Sequence, residues 1–167
     1  LVLARGEGQY VHDEAGRRYL DATAGLWFAN VGHGRTEIAD AVGRQAATLA
    51  AYSTFGDMAN RPVLELADRV AAIAPVPGSK VFFTSGGSDS VDTAAKLVRR
   101  YWQLLGHADR TTIVTRERAY HGMHWGGTAL AGIAPNRQGY GDLAGDVAQV
   151  AWDDAQALAD AIDAIGT

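Results

Sequence analysis

Apolar and polar residues alternate along this chain with two different periods, and each change of period marks a new element. Gln9-Tyr10-Val11-His12 and Arg17-Arg18-Tyr19-Leu20 read as strands, and Asp13-Glu14-Ala15-Gly16 reads as the turn joining them, which predicts a hairpin. Between Ala22 and Gly34 no period survives and glycines are frequent, as in a loop. Ile38, Val42, Ala46 and Leu49 then recur at near-helical spacing, with Thr36 placed to cap the first turn. A second helix starts around Asn60 and Pro62, carries Leu66, Val70 and Ile73 on one face, and closes at Pro75 and Pro77.

From residue 80 the pattern alternates. Lys80-Val81-Phe82-Phe83-Thr84 is β-prone, Ser85-Gly86-Gly87-Ser88 turns the chain, and Val91, Ala95, Val98, Trp102 and Leu105 line a long helix ended by Gly106. Thr111–Thr115 reads as a strand, Tyr120–Gly132 as partly helical, and Val147–Ala151 as a third strand. Asp153 or Asp154 is placed to cap a last helix carrying Leu158, Ile162 and Ile165. Strand and helix in alternation imply an α/β fold, a mostly parallel sheet with helices on both faces. Three strands make a small sheet and the alternation stops after a helix, so the chain is expected to be a piece of a longer protein.

Composition narrows the function classes. The 167 residues are 47% hydrophobic and 20% charged, too apolar for a disordered chain. No apolar run reaches the roughly 18–20 residues of a bilayer crossing, so no membrane partner is expected. A net charge of −4 argues against nucleic acid as a partner. Cysteine is absent, which removes disulfides, thiol chemistry and cysteine–zinc sites. The opening Leu1–Arg5 turns polar too soon for a secretory signal, leaving a soluble, cytoplasmic protein as the expectation. Lysine is scarce: Lys80 and Lys96 are the only two.

The strongest chemical feature is Phe83-Thr84-Ser85-Gly86-Gly87-Ser88-Asp89, between a predicted strand and a long helix. A helix start carries unpaired N–H groups and a partial positive charge, and glycines let an anion approach the backbone. The spacing fits neither G-x-G-x-x-G nor the P-loop pattern, so a phosphate ligand of another kind is favoured over a nucleotide. A plain tight turn with Ser88 as helix cap is the alternative on local pattern alone. Taken singly, Tyr120, His121 and Trp27 fit ordinary packing roles, and Asp92 fits a solvated helix face.

Three segments in order carry a resemblance. Phe82-Phe83-Thr84-Ser85-Gly86-Gly87-Ser88-Asp89-Ser90-Val91-Asp92-Thr93-Ala94-Ala95-Lys96-Leu97-Val98-Arg99-Arg100-Tyr101 resembles the block F-T-N-S-G-S-E-A-x-E/D-x-A-x-K-x-A-R of class III pyridoxal-phosphate-dependent aminotransferases. Leu20–Gly34 resembles that family's L-D-x-x-x-G-L-W-x-x-N-x-G-H/Y-G, and Arg118-Ala119-Tyr120-His121-Gly122 its x-x-Y-H-G. The tryptophan segment, Tyr101-Trp102 and Asn136-Arg137 resemble the ω-amino acid:pyruvate branch. Gly86, Ser85 and Asp89 depart from the family's usual Ser, Asn and Glu.

The resemblance implies a fold-type I PLP-dependent transferase with pyridoxal 5'-phosphate as cofactor. Residues 1–34 would be part of the small domain, and residues 35–167 the first part of the large cofactor-binding domain. Gly87 and Ser88 match positions that hold the cofactor phosphate, Tyr120 the aromatic stacked on its ring, and His121 a supporting neighbour. Trp27 matches a substrate-pocket wall, and Phe55 a residue reaching the partner subunit's site in a homodimer. The implied reaction moves an amino group from an ω-amino acid or amine to a keto acid such as pyruvate; an aminomutase, or a phosphate-ligand module without catalysis, is the alternative.

That chemistry needs a lysine amine for the Schiff base. Lys96 lies eight residues past Ser88, about 12 Å along a helix, and matches a non-catalytic lysine of the family block. Lys80 stands at the far end of the predicted strand from the glycine turn. Neither fits, so the resemblance puts the Schiff-base lysine downstream, and no catalytic residue and no turnover are expected of this chain alone.

Overall fold

A buried aspartate organises the predicted hairpin. In the computed structural model, which describes residues 1–166, Asp13 is 5% exposed and accepts hydrogen bonds from the Arg17 amide (2.9 Å), Arg17 Nε (2.7 Å) and the Tyr19 hydroxyl (2.9 Å). Burial pushes the Asp13 carboxyl upward, but the Arg17 and Tyr19 bonds outweigh it and hold it below the usual carboxylate range. Gly16 closes the turn at φ +80°, with its amide on the Asp13 carbonyl. Strands β2 (Tyr10–Asp13) and β3 (Arg18–Leu20) pair antiparallel as expected, and β1 (Leu3–Glu7), which the alternation alone did not reveal, adds to β2 as an outer strand.

The chain divides into two compact units, the first Leu1–Leu66 and the second from Ala67 onward. Besides the three-stranded sheet, the first unit holds α1 (Ala24–Trp27) and α2 (Thr36–Leu49), and α3 (Arg61–Ile73) begins in it. The loop reading of residues 22–34 holds in substance, because α1 is no ordinary helix: Ala24, Gly25, Leu26 and Trp27 have φ of 51°, 60°, 62° and 75°. Thr36 is not the cap of α2: the chain enters at Arg35, and no side chain caps that end. Asn60 does start α3, its Oδ1 accepting from the Val63 amide at 3.0 Å.

In the second unit, α4 (Gly87–Leu104) leads to β4 (Ile113–Arg116), α5 (Trp125–Leu130), a 3-10 turn (Ala134–Arg137), β5 (Val147–Val150) and α6 (Ala155–Ile165). Strands β4 and β5 pair parallel over four residues each, the local geometry the alternation requires. Arg99 on α4 reaches both sides of that pair, donating to the Thr111 carbonyl (2.8 Å) and the Gly145 carbonyl (3.0 Å). Asp154 caps α6, accepting from the Gln156 and Ala157 amides. The buried apolar residues are Ala129, Leu130, Ala131 and Val150, at the junction of α5 with the sheet.

One predicted element is absent. Lys80–Thr84 is not a strand, because no neighbouring strand bonds to it among the described residues, and β-propensity without a ladder partner leaves the backbone irregular. Ser88 is likewise not the cap of α4; it lies inside the first turn, and Gly86 precedes the helix. Among the described residues no helix is long and apolar enough to cross a membrane. Thr167, the last residue of the expected second domain, lies outside the described residues.

Candidate functional site

The second unit brings four of the six expected site residues together. Gly87 and Ser88 open α4, and Tyr120 and His121 lie in the segment between β4 and α5. The two stretches touch: Ser88 Oγ accepts from the Met123 amide at 3.0 Å. Gly122, between His121 and Met123, has φ +99°, and a Cβ there would come within 2.6 Å of Ser88 Oγ and 2.7 Å of Ser88 Cα. Glycine at 122 is what lets the two stretches meet.

At the start of α4 the amides of Gly87, Ser88 and Asp89 precede any intrahelical partner, and no side chain caps them. The Gly86 carbonyl is occupied by the Ser90 amide (3.0 Å) and approached by the hydroxyls of Thr84 and Ser90, which fixes the turn and leaves its N–H side open. Nothing stands within 4 Å of where a Cβ of Gly86 or Gly87 would be. Gly86 is fully extended (φ 177°, ψ 179°), so the backbone does not demand glycine where the family pattern has serine. Asp89, the acidic residue of the first turn, is drawn to His124 (Oδ1–Nδ1 3.3 Å). The turn therefore offers main-chain donors and the Ser88 hydroxyl hydrogen to an anion.

His121 is held from behind. Its Nε2 lies 3.0 Å from Thr115 Oγ1, and that hydroxyl, on a threonine 5% exposed in β4, donates to the Leu130 carbonyl at 2.8 Å. A threonine has one hydroxyl hydrogen, so the oxygen accepts from His121 and the ring carries its proton on Nε2. The neighbouring Tyr120 ring is free, 59% exposed, at the edge of a cleft of about 390 Å³ walled in part by Met123, Trp125, Asn136 and Tyr140.

Trp27 and Phe55 belong to the first unit, where both side chains stand free, 81% and 86% exposed. The Trp27 turn is organised by Asp21, which accepts from the Thr23 amide and hydroxyl (3.3 and 3.1 Å) and pairs with His33 Nε2 at 2.8 Å. The Gly25 amide first, then His33, pull the Asp21 carboxyl down to about 2.

Sequence reasoning placed Asp92 on a solvated face, and the structure corrects this. Its carboxylate accepts from the Gly127 amide (2.7 Å) and the Gly126 amide (3.2 Å), capping α5 from another helix. The acidic position in the block of residues 82–101 was the available signal. Lys96 and Lys80 are both exposed; Lys96 stands on α4 well beyond its first turn, and Lys80 precedes the irregular segment.

Residues 1–165 match the model of the class III aminotransferase family. The chain is 39% identical to the β-alanine–pyruvate aminotransferase of Pseudomonas aeruginosa over 142 residues, 85% of this chain and 32% of that protein. Its fold superposes with a TM-score of 0.93 on a transaminase from the marine bacterium Virgibacillus, at 36% identity, covering 99% of this chain and 39% of the other. An amine transaminase from an uncultivated Pseudomonas species, solved in its PLP-bound form, matches with a TM-score of 0.87 and 38% identity, over 96% of this chain and 39% of that one. The chain spans about a third of the length of the curated relatives it matches.

Proposed function

This chain belongs to the class III aminotransferases, and we propose that its second unit supplies the phosphate cradle and ring platform of a pyridoxal 5'-phosphate site in an ω-amino acid or amine:keto acid transaminase. Pyridoxal phosphate is the cofactor of this family. The observation that carries the reading is the uncapped first turn of α4 fastened to the Tyr120–Met123 segment through Ser88. Free amides and a hydroxyl hydrogen suit a phosphate, and an exposed aromatic face beside them suits a flat heterocycle.

Gly87 and Ser88 hold the phosphate, Tyr120 stacks on the ring, and His121, its proton fixed on Nε2 by Thr115, braces Tyr120 from β4. When bound, the cofactor would supply the electron sink that loosens the C–H bond on the carbon bearing the substrate's amino group and the carrier that keeps that group between half-reactions. Lys96 stands well beyond the first turn of α4 and Lys80 precedes the irregular segment before it, so the Schiff-base lysine is assigned to the remainder of the enzyme. Residues 1–34 belong to the small domain and 35–167 to the first part of the large one. The intact enzyme works as a homodimer, with Trp27 walling the substrate pocket and Phe55 reaching the partner subunit's site. A keto acid such as pyruvate is the amino acceptor.

Adding pyridoxal 5'-phosphate and then borohydride tests the assignment. The intact enzyme should retain the cofactor covalently on a lysine downstream of this chain, while the 167-residue chain should release it on dialysis. Specific fixation on Lys80 or Lys96 would overturn the reading.

A further inference from the structure

We propose that Asp92 is a positioning residue for the cofactor ring: without touching the cofactor, it holds the segment that carries the Tyr120 platform against the phosphate cradle. The inference rests on the reading of Tyr120 and the α4 turn given above. Ser88 and Asp92 are four residues apart on α4 and so share a face, with Asp89 beside them. That face grips the following segment at successive points: Ser88 Oγ on the Met123 amide (3.0 Å), Asp89 on His124 (3.3 Å), and Asp92 on the amides of Gly126 and Gly127 (3.2 and 2.7 Å).

Of these grips, the Asp92 one has no substitute. The first-turn amides of α5 have no cap of their own, since His124 makes no side-chain bond there. With six residues, α5 has little cooperativity of its own to hold it. Asp92 satisfies two of its orphan donors at once, in charge-assisted bonds. The packing leaves no room for drift: a Cβ on Gly126 would sit 3.0 Å from the carboxylate, and one on Gly127 2.3 Å from the His121 carbonyl. Tyr120 is tied to β4 through Ala119 and His121, whereas its distance from the α4 cradle is set by the segment's grips on α4. Losing the Asp92 grip therefore lets the Tyr120 platform shift against the cradle, while the amides of Gly87, Ser88 and Asp89 stay where α4 puts them.

The consequence is a split between ring and phosphate. In the intact enzyme, Asp92→Asn keeps one acceptor oxygen and loses the charge and the second bond. Pyridoxal 5'-phosphate should then dissociate about tenfold faster, the scale of one lost charge-assisted bond, and the circular dichroism of the bound cofactor should collapse. Affinity of the apoenzyme for inorganic phosphate should change less than about twofold. Asp92→Glu, retaining a carboxylate on a longer arm, should restore both the dichroism and the slow release.

Unchanged dichroism and release in Asp92→Asn would overturn the inference, and so would a parallel loss of phosphate affinity, which marks a general loss of fold. If Asp92→Asn does not fold, thermal unfolding of Asp92→Glu decides: recovery of stability without recovery of dichroism overturns it. A wild-type enzyme giving no cofactor dichroism at all would instead overturn the underlying cofactor reading and this inference with it.

Discussion

Carboxylates in the two units solve the same problem over different reaches. In the first unit Asp13 and Asp21 gather donors lying at most twelve residues away, from Arg17 and Tyr19 in one case and Thr23 and His33 in the other. In the second unit Asp92 draws on amides 34 and 35 residues along the chain, and Ser88 on one 35 residues away. Short loops cost little entropy to close and long ones more, so the first kind of cluster forms with its own hairpin or turn, whereas the second waits for α4, β4 and α5 to assemble. Local clusters shape a surface; the long-range one builds the proposed cofactor site.

The largest effect expected from breaking that contrast is Gly122→Ala. The new methyl meets the Ser88 backbone at 2.7 Å in a left-handed backbone conformation, two penalties of about 1–3 kcal/mol each that no flexible side chain can relieve. Thermal unfolding should show a loss of about 2 kcal/mol or more, and retained pyridoxal phosphate should fall with it.

Next comes acid. The Asp21 carboxyl is held at about 2, below its ordinary 3.8, so its contribution is complete above that ordinary value and is lost as pH falls through about 2. Protection of the amides of residues 23–33, relative to their intrinsic exchange at each pH, should therefore fall between pH 4 and 2. Asp21→Asn should already exchange fast at pH 6 and lose that acid step, while the Ser88–Met123 attachment in the other unit is untouched.

Asp154→Ala removes a purely local cap and should cost about 1 kcal/mol in a thermal melt, without altering cofactor retention. Smallest of all is Gly86→Ser. An extended backbone with open space accepts the side chain, so stability should stay within about 0.5 kcal/mol, and phosphate affinity should hold or rise with the added hydroxyl.

The same contrast explains what the sequence made legible. Asp13-Glu14-Ala15-Gly16 announced its turn and Asp153-Asp154 the start of α6, where Asp154 proved to be the cap, because their partners sit within a few residues and the pattern states them. Helices α2, α3, α4 and α6 showed through apolar spacing for the same reason. The strand expected at Lys80–Thr84 failed because a strand is defined by a neighbour, and no neighbour is encoded in five β-prone residues. Asp92 read as solvated because the amides that claim it lie two elements away. The roles proposed for Gly87, Ser88, Tyr120 and His121 come from the family pattern, which carries long-range information that spacing alone does not. Trp27 and Phe55 came from that pattern as well, and their exposed side chains keep their roles within the proposal.

The left-handed run from Ala24 to Trp27 constrains what any substitution of Trp27 can do. An indole at φ 75° is mounted on a sprung hinge, and Gly25 is the one member of that run for which such torsion is free. Replacing Trp27 with glycine would remove the bulk and also unload the spring. Removing the indole without loosening the turn calls for a residue such as asparagine, which is small but still tolerates the twist.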